Sequence, residues 1–374
     1  MPLKVLIVPD KFKGTLTARG AAEAIGRGWR KARPKDSLKL LQMTDGGDGF
    51  GEVLTDLLDA KAQATKTVDA AHRPCVARWW WEPKTKTAII ESATVIGLAM
   101  LPPGKFHPFE LDTFGIGAVI RAAAVRGARS CLLGIGGSAT NDGGFGLARA
   151  LGWEFLDVRG NAIEQWTGLK RLRQIHAPRK RRWFRNLIVA LDVQNPLLGA
   201  QGATRVYGPQ KGLRRKDFAT SELCLKRLAQ VAKKHFGHDF AREPGSGAAG
   251  GLGFGLMAFT AAQTEPGFEL FARYAVLKRR LAWADLVITG EGAIDSSTFM
   301  GKAVGQIANR CHQLGIPCIG LAGVVTRNAQ RPRFFTNVHE LTDLTSTKQA
   351  GTRAAYWLER LAAQVATRWT KVAG

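Results

Sequence analysis

LVITGEGAIDSSTFMGKAVGQIANRCHQLGIPCIGL, residues 286–321, reads as a strand, a helix and a second strand. Leu286 to Thr289 and Pro317 to Leu321 are short apolar runs, and between them, from about Ala303 to Leu314, apolar residues recur at helical spacing. Such a unit joins two parallel strands by a crossover that is expected to be right-handed. The same alternation extends outward along the chain. Val5 to Val8 is an apolar strand, and after it Thr17 is placed to cap a helix that carries Ala21, Ala22, Ile25 and Trp29 on one face. Val53, Leu54, Leu57 and Leu58 share a face of a second helix. Ile116, Val119, Ile120 and Ala123 line a third, which stops at Gly127 before the strand Cys131 to Ile135, and Leu187 to Leu191 is a further strand. The class is α/β.

One region departs from the pattern. From about Val68 to Ala93 the chain includes VARWWWEPKTKTAIIESA, two strands around the turn residues Pro83 to Lys86, a hairpin rather than a crossover. This predicts a second domain with a mixed sheet, so that residues 1–65 and 285–374 form one α/β domain and residues 66–284 are inserted as another. Trp79 to Trp81 are expected to pack across strands rather than to stack on bases.

The 374 residues are 45% hydrophobic and 22% charged, with 43 glycines and 15 prolines, values that exclude a disordered, collagenous or coiled-coil chain. Five cysteines without CxxC spacing indicate neither a disulfide framework nor a zinc cage, and they fit a reducing cytoplasm. The opening MPLKVLIVPDKFKG has too short an apolar run for a secretory signal. The uncharged stretch from Pro244 to Thr264 contains six glycines, so it reads as a glycine-rich loop entering a buried helix and not as a membrane span. The net charge of +24 attracts anions without choosing among them. Its densest cluster, LKRLRQIHAPRKRRWFR at residues 169–185, has no accompanying nucleic-acid motif and is expected to be a solvated surface loop.

Chemistry concentrates in five segments placed after strands, where ligands of open α/β sheets sit. These are Pro9-Asp10-Lys11-Phe12-Lys13-Gly14-Thr15; Thr44-Asp45-Gly46-Gly47-Asp48-Gly49; the run GIGGSATNDGG from Gly134 to Gly144; Tyr207-Gly208-Pro209-Gln210-Lys211-Gly212, preceded by Asp192; and Thr289-Gly290-Glu291-Gly292 with Asp295 and Lys302. Glycine lets several backbone N–H groups converge on an anion, and a helix start adds its positive end. Five such loops in one chain, most with an Asp or Lys, point to a phosphate ligand. The Walker and protein-kinase motifs are absent. GIGGSA matches the relaxed dinucleotide fingerprint, with Glu154 and Asp157 about twenty residues on, and leaves a nicotinamide-dependent oxidoreductase as the alternative; yet Thr140 to Gly144 intervene before any helix.

Taken together, PDKFKGTLTA, TDGGDG, GIGGSATNDGG, YGPQKG and VITGEGAID resemble the signature segments of the bacterial glycerate kinases that phosphorylate D-glycerate with ATP. The resemblance spans residues 5 to 302, in the family's order. It implies two α/β domains, one flavodoxin-like, with the active site in the cleft between them; it also implies ATP, a divalent metal and D-glycerate, with 2-phosphoglycerate as the favoured product. Asp48 stands where the family commonly has Glu, Ile116 where a hydroxyl is usual, and Ala293 near a usual arginine.

Phosphoryl transfer to an alcohol needs charge neutralisation, metal-holding carboxylates and an acceptor for the hydroxyl proton. Lys13 and Lys211 are expected to neutralise phosphate or the glycerate carboxylate, and Asp45 to orient or deprotonate the attacking hydroxyl. Glu291 and Asp295 are the expected Mg²⁺ carboxylates, and Asp192 is a further catalytic acid able to reach the metal directly or through water. Asp10, Gly46, Gly47, Gly136, Gly137, Ser138, Thr140, Asn141, Asp142, Gly290, Gly292 and Lys302 are expected to bind substrate and nucleotide. Small-molecule partners, no membrane, no sequence-specific nucleic acid, a cytoplasmic location and a monomer or homodimer complete the expectation.

Overall fold

The computed structural model describes residues 1–12, 14–299, 302–326 and 334–369. Along these residues run β1 (Lys4–Ile7), β2 (Ser37–Leu40), β3 (Lys61–Val68), β4 (Pro74–Glu82), β5 (Thr87–Glu91), β6 (Ser130–Gly134), β7 (Glu154–Leu156), β8 (Gln174–His176), β9 (Asn186–Leu191), β10 (Gln263–Pro266), β11 (Leu286–Ile294), β12 (Cys318–Val325) and β13 (Asn337–Glu340). The chain divides into two compact units, residues 1–45 with 271–374, and residues 46–270. The sequence boundaries of 65/66 and 284/285 therefore fall later than the divisions seen. The helix Phe50–Leu58 and the start of β3 go with the second unit, because β3 pairs along its whole length with β4.

The first unit is built on a parallel sheet of order β13-β12-β11-β1-β2. Numbered within the unit, that is 2-1-3-4-5, the flavodoxin-like order. Strands covered on both faces read as continuous apolar runs, and Val5, Leu6 and Ile7 are fully buried. Thr17 caps the helix Ala18–Ala32 by accepting from the Gly20 N–H at 3.1 Å, and Ala21, Ala22, Ile25 and Trp29 are buried as the periodicity predicts. This helix packs on Ala354–Arg368 so closely that a Cβ on Gly28 would lie 2.1 Å from the Glu359 carbonyl oxygen. Arg27 and Lys31 both reach the Glu359 carboxylate. β11 and β12 flank the helix Ala303–Gln313 and pair in parallel, as residues 286–321 suggested. One element differs: Thr289 to Gly292 is not a loop but part of the nine-residue β11, paired as Gly290 with Leu321 and Glu291 with Ala322.

The second unit carries a mixed sheet of order β10-β9-β6-β5-β4-β3, parallel from β10 to β5 and antiparallel from β5 to β3. β4 and β5 form the expected hairpin, whose turn is held by Glu82 accepting from the Lys84 and Thr85 amides at 2.8 and 2.6 Å. The three tryptophans are buried in β4, opposite Gln63, Ala62 and Lys61 of β3, and the Trp79 indole N–H donates to Thr65 Oγ1 at 2.9 Å. They pack across strands and are not a platform for bases. The glycine-rich stretch leads into the buried helix Ala248–Thr260, interrupted at Ala249 to Gly251 by positive φ. A Cβ on Gly250 would meet the Thr140 carbonyl oxygen at 1.9 Å, so these glycines let the helix lie directly on the Gly134–Gly144 loop. Among the described residues no helix is long and apolar enough to cross a membrane.

Candidate active site

In the first unit the strand order reverses between β1 and β11, the switch point at which doubly wound sheets bind ligands beyond the carboxyl ends of the strands. The two strands are tied there. Thr289 Oγ1 donates to the Val8 carbonyl and the Asp10 N–H to the Gly290 carbonyl, each at 2.8 Å. This places Asp10 and Glu291 together with Asp45, which ends the segment that follows β2. Burial, followed by the charge of Asp45, pushes Asp10 up to about 7, and Glu291 adds to the effect. Glu291 is raised mainly by burial, and the Thr298 hydroxyl donating to its Oε1 at 2.7 Å and the charge of Lys302 pull it back in part. Asp295 Oδ1 accepts from the Thr298 N–H at 3.3 Å and faces Lys302 Nζ at 4.0 Å. Gly290 and Gly292 belong to β11 itself and not to a loop. Lys13 lies outside the described residues.

The second unit gathers the rest. The chain leaves β6 at Gly134 and makes no immediate helix; the next, Phe145–Ala150, starts after Gly144. The dinucleotide fingerprint therefore lacks its helix, and Asp157 is spent on a surface turn, accepting from the Arg159 and Asn161 amides. Gly137, at φ 74°, touches Asp48: a Cβ there would lie 2.1 Å from Asp48 Oδ1. Gly46 lies against Ala190 of β9, and Gly136 against Gly47.

Lys211 is buried in a 3-10 turn, Pro209–Lys211, where its amine donates to the Thr140 carbonyl at 2.7 Å and to Ser138 Oγ at 3.0 Å. Burial lowers it to about 7, against the opposing charge of Asp142. Asp142 is fully buried and accepts from Thr113 N, Thr113 Oγ1, Gly144 N and Gly146 N at 2.8–3.2 Å. Burial, then the charge of Asp112, pushes it up to about 6. Asn141 donates to Ser221 Oγ at 2.8 Å, while its own Oδ1 and the Thr140 hydroxyl are buried without a partner. Asp192 is exposed just beyond the end of β9.

The structure thus brings Asp10, Asp45, Glu291, Asp295 and Lys302 together in one unit, and Gly136 to Asp142 together with Lys211 in the other. Asn141 and Asp142 are fully buried there. Ile116, where a hydroxyl is usual, is fully buried in the helix Gly115–Val125. The lysines and arginines of the basic segment are exposed, but it is not the plain surface loop expected: Leu169, Leu172, Ile175 and Phe184 are buried and Gln174–His176 is β8, while Lys180 Nζ lies 4.2 Å above the Trp183 ring.

A flavodoxin-like unit with acids at its switch point, and a mixed-sheet unit with a buried amine among glycine turns, make this an α/β chain with candidate site residues in each unit. The profile of the glycerate kinase family matches residues 5–370. Among curated proteins, a glycerate kinase of Halalkalibacterium halodurans is 39% identical over 85% of both chains, and a glycerate 2-kinase of Escherichia coli is 36% identical over 87% of this chain and 86% of that one. The crystal structure of a protein assigned as glycerate kinase 2 from Salmonella typhimurium superposes with a TM-score of 0.82 at 33% identity, covering 98% of each chain. The chain belongs to the glycerate kinase family, and it is a kinase.

Proposed function

We propose that the chain transfers the terminal phosphoryl group of ATP to a hydroxyl of D-glycerate, giving 2-phosphoglycerate. The observation that carries this reading is the group of carboxylates at the β1/β11 switch point, Asp10 and Glu291 with Asp45. Burial first, and the charge of Asp45 next, push Asp10 up to about 7, and acids so placed call for a cation to relieve them and offer an acceptor for a hydroxyl proton. Asp45 serves as that base. Lys211, with its amine turned to Ser138 and the Thr140 carbonyl, supplies positive charge beside Gly136 and Gly137 for the phosphate or the substrate carboxylate. Lys302 and Lys13 add charge, and Asp192 orients groups in the second unit.

Mg²⁺ suits these residues. Among the described residues no three His, Cys, Asp or Glu side chains form a metal cage, but Mg²⁺ habitually takes one or two carboxylates and completes its shell with water and substrate phosphates. Glu291 and Asp295 would hold it. Bound there, the ion would neutralise charge on the phosphate oxygens. The unbridged cysteines support a cytoplasmic location, and a monomer or homodimer is the simplest assembly. The Gly134–Gly144 loop lacks the immediate helix that a nicotinamide fingerprint needs.

The deciding experiment is ADP release over a panel of short hydroxy acids, with NMR of the product. D-glycerate as the best acceptor and a phosphate on carbon 2 support the proposal; equal ADP release without any acid refutes it.

A further inference from the structure

The TDGGDG segment precedes the nine-residue helix Phe50–Leu58, an arrangement that on paper offers a helix start to a phosphate. That place is filled by the protein itself. Glu91, the last residue of β5, sends its carboxylate to the helix start, where Oε1 accepts from the Gly49 N–H and Oε2 from the Gly51 N–H, each at 2.9 Å. Gly49 is the N-cap, at φ 88°, and has no side chain with which to cap the helix. Glu91 is 7% exposed, and burial, partly offset by these two amides, raises it despite the bonds. An anion that costs free energy to bury is retained at the one point where the loop joins its helix.

We infer that Glu91 is a positioning residue: its carboxylate occupies the helix start in place of a ligand anion and clamps the loop there, so that Asp48 acts through its carboxylate and the Gly49 and Gly51 amides are not offered to a ligand. The loop is held from the other side as well, since Gly137 presses on Asp48 and Gly46 on Ala190. With both sides fixed, the clamp sets where Asp48 points. This inference rests on the kinase reading proposed above, in which the TDGGDG loop belongs to the site. A displacement of about 1 Å in a reacting group costs about a hundredfold in rate, so a loosened clamp is read in turnover rather than in binding.

The test compares wild type with Glu91→Gln and Glu91→Asp in the ADP-release assay, alongside amide hydrogen exchange. Glutamine keeps the shape but turns an N–H₂ toward one of the two donors, so one clamp bond is lost. The expected result is a 10- to 100-fold fall in kcat for Glu91→Gln with KM for both substrates within twofold, and exchange at Gly49 and Gly51 that is slow in the wild type and fast in the variant. Glu91→Asp, which keeps the charge, recovers part of kcat. An unchanged kcat in a folded Glu91→Gln protein overturns the inference, as does a rise in KM alone. An inactive wild type instead refutes the kinase reading, and fast exchange at both wild-type amides then refutes the clamp by itself.

Discussion

The Lys211 amine donates to the Thr140 carbonyl oxygen at 2.7 Å and, among the described residues, has no ion-pair partner. The bond turns the ammonium toward the Gly134–Gly144 loop rather than toward solvent. Replacing it removes the one lysine that is buried among the described residues. Lys211→Ala is expected to lower turnover at least about a hundredfold, or about 2.7 kcal/mol at roughly 1.36 kcal/mol per tenfold. Steady-state rates of the folded variant check this, and wild-type turnover would contradict it.

The same burial makes stability depend on pH. Lys211 is lowered from 10.5 to about 7, so between those values the unfolded chain keeps a proton that the folded chain has released. Stability from this group therefore rises with pH across the window and is lost as pH falls through about 7. Lys211→Met, neutral throughout, is expected to be more stable than wild type near neutral pH, with the difference shrinking toward pH 10. Urea unfolding midpoints of the two proteins across that range provide the measurement, and a constant difference would refute the shift.

For Asp45, base and metal ligand leave different traces. Asp45→Asn is expected to keep substrate binding while turnover falls by about 10² to 10⁴, the usual worth of a positioned base. Turnover is to be followed over a wide Mg²⁺ range. Rescue by excess metal assigns Asp45 to the ion instead, and full activity throughout removes both roles.

A fourth expectation concerns packing in the first unit. Gly28→Ala would put a methyl 2.1 Å from the Glu359 carbonyl, and backbone cannot give way as a side chain can. The helices Ala18–Ala32 and Ala354–Arg368 must separate, at a cost of about 1–3 kcal/mol, typical of overpacking. Alanine ordinarily favours a helix over glycine by roughly 1 kcal/mol, so a net loss on thermal unfolding identifies the contact as the cause.

Helices with a clean apolar period were legible before the fold was seen. Ala18–Ala32 could be read down to its Thr17 cap because cap and stripe are local. Asp10 and Glu291 could be picked out as candidates because each comes at the end of an apolar run, whereas β2, which leads to Asp45, is mostly exposed and no apolar run announced it. What escaped depends on distant partners. Glu91 meets Gly49 across 42 residues, and Asn141 meets Ser221 across 80, distances over which no local pattern reports. β7 and β8, three residues each, are too short to show an alternation. Lys211 sits among polar and glycine neighbours that suggest an open loop, and only the folded chain encloses it. Thr289 to Gly292 misled for the opposite reason: glycine suggests a turn, and pairing with β12 overrides it.

That pairing has a consequence for how the chain tolerates change. Glu291 rides on a strand whose residues alternate between the two faces of the sheet, and it is fixed in register opposite Ala322. Inserting or deleting a single residue between Thr289 and Glu291 would carry the carboxylate to the opposite face, leaving its Thr298 hydroxyl behind. A loop would absorb such a change with a small bend. Length variation in this segment is therefore an all-or-none event, and viable variants should change here by substitution alone.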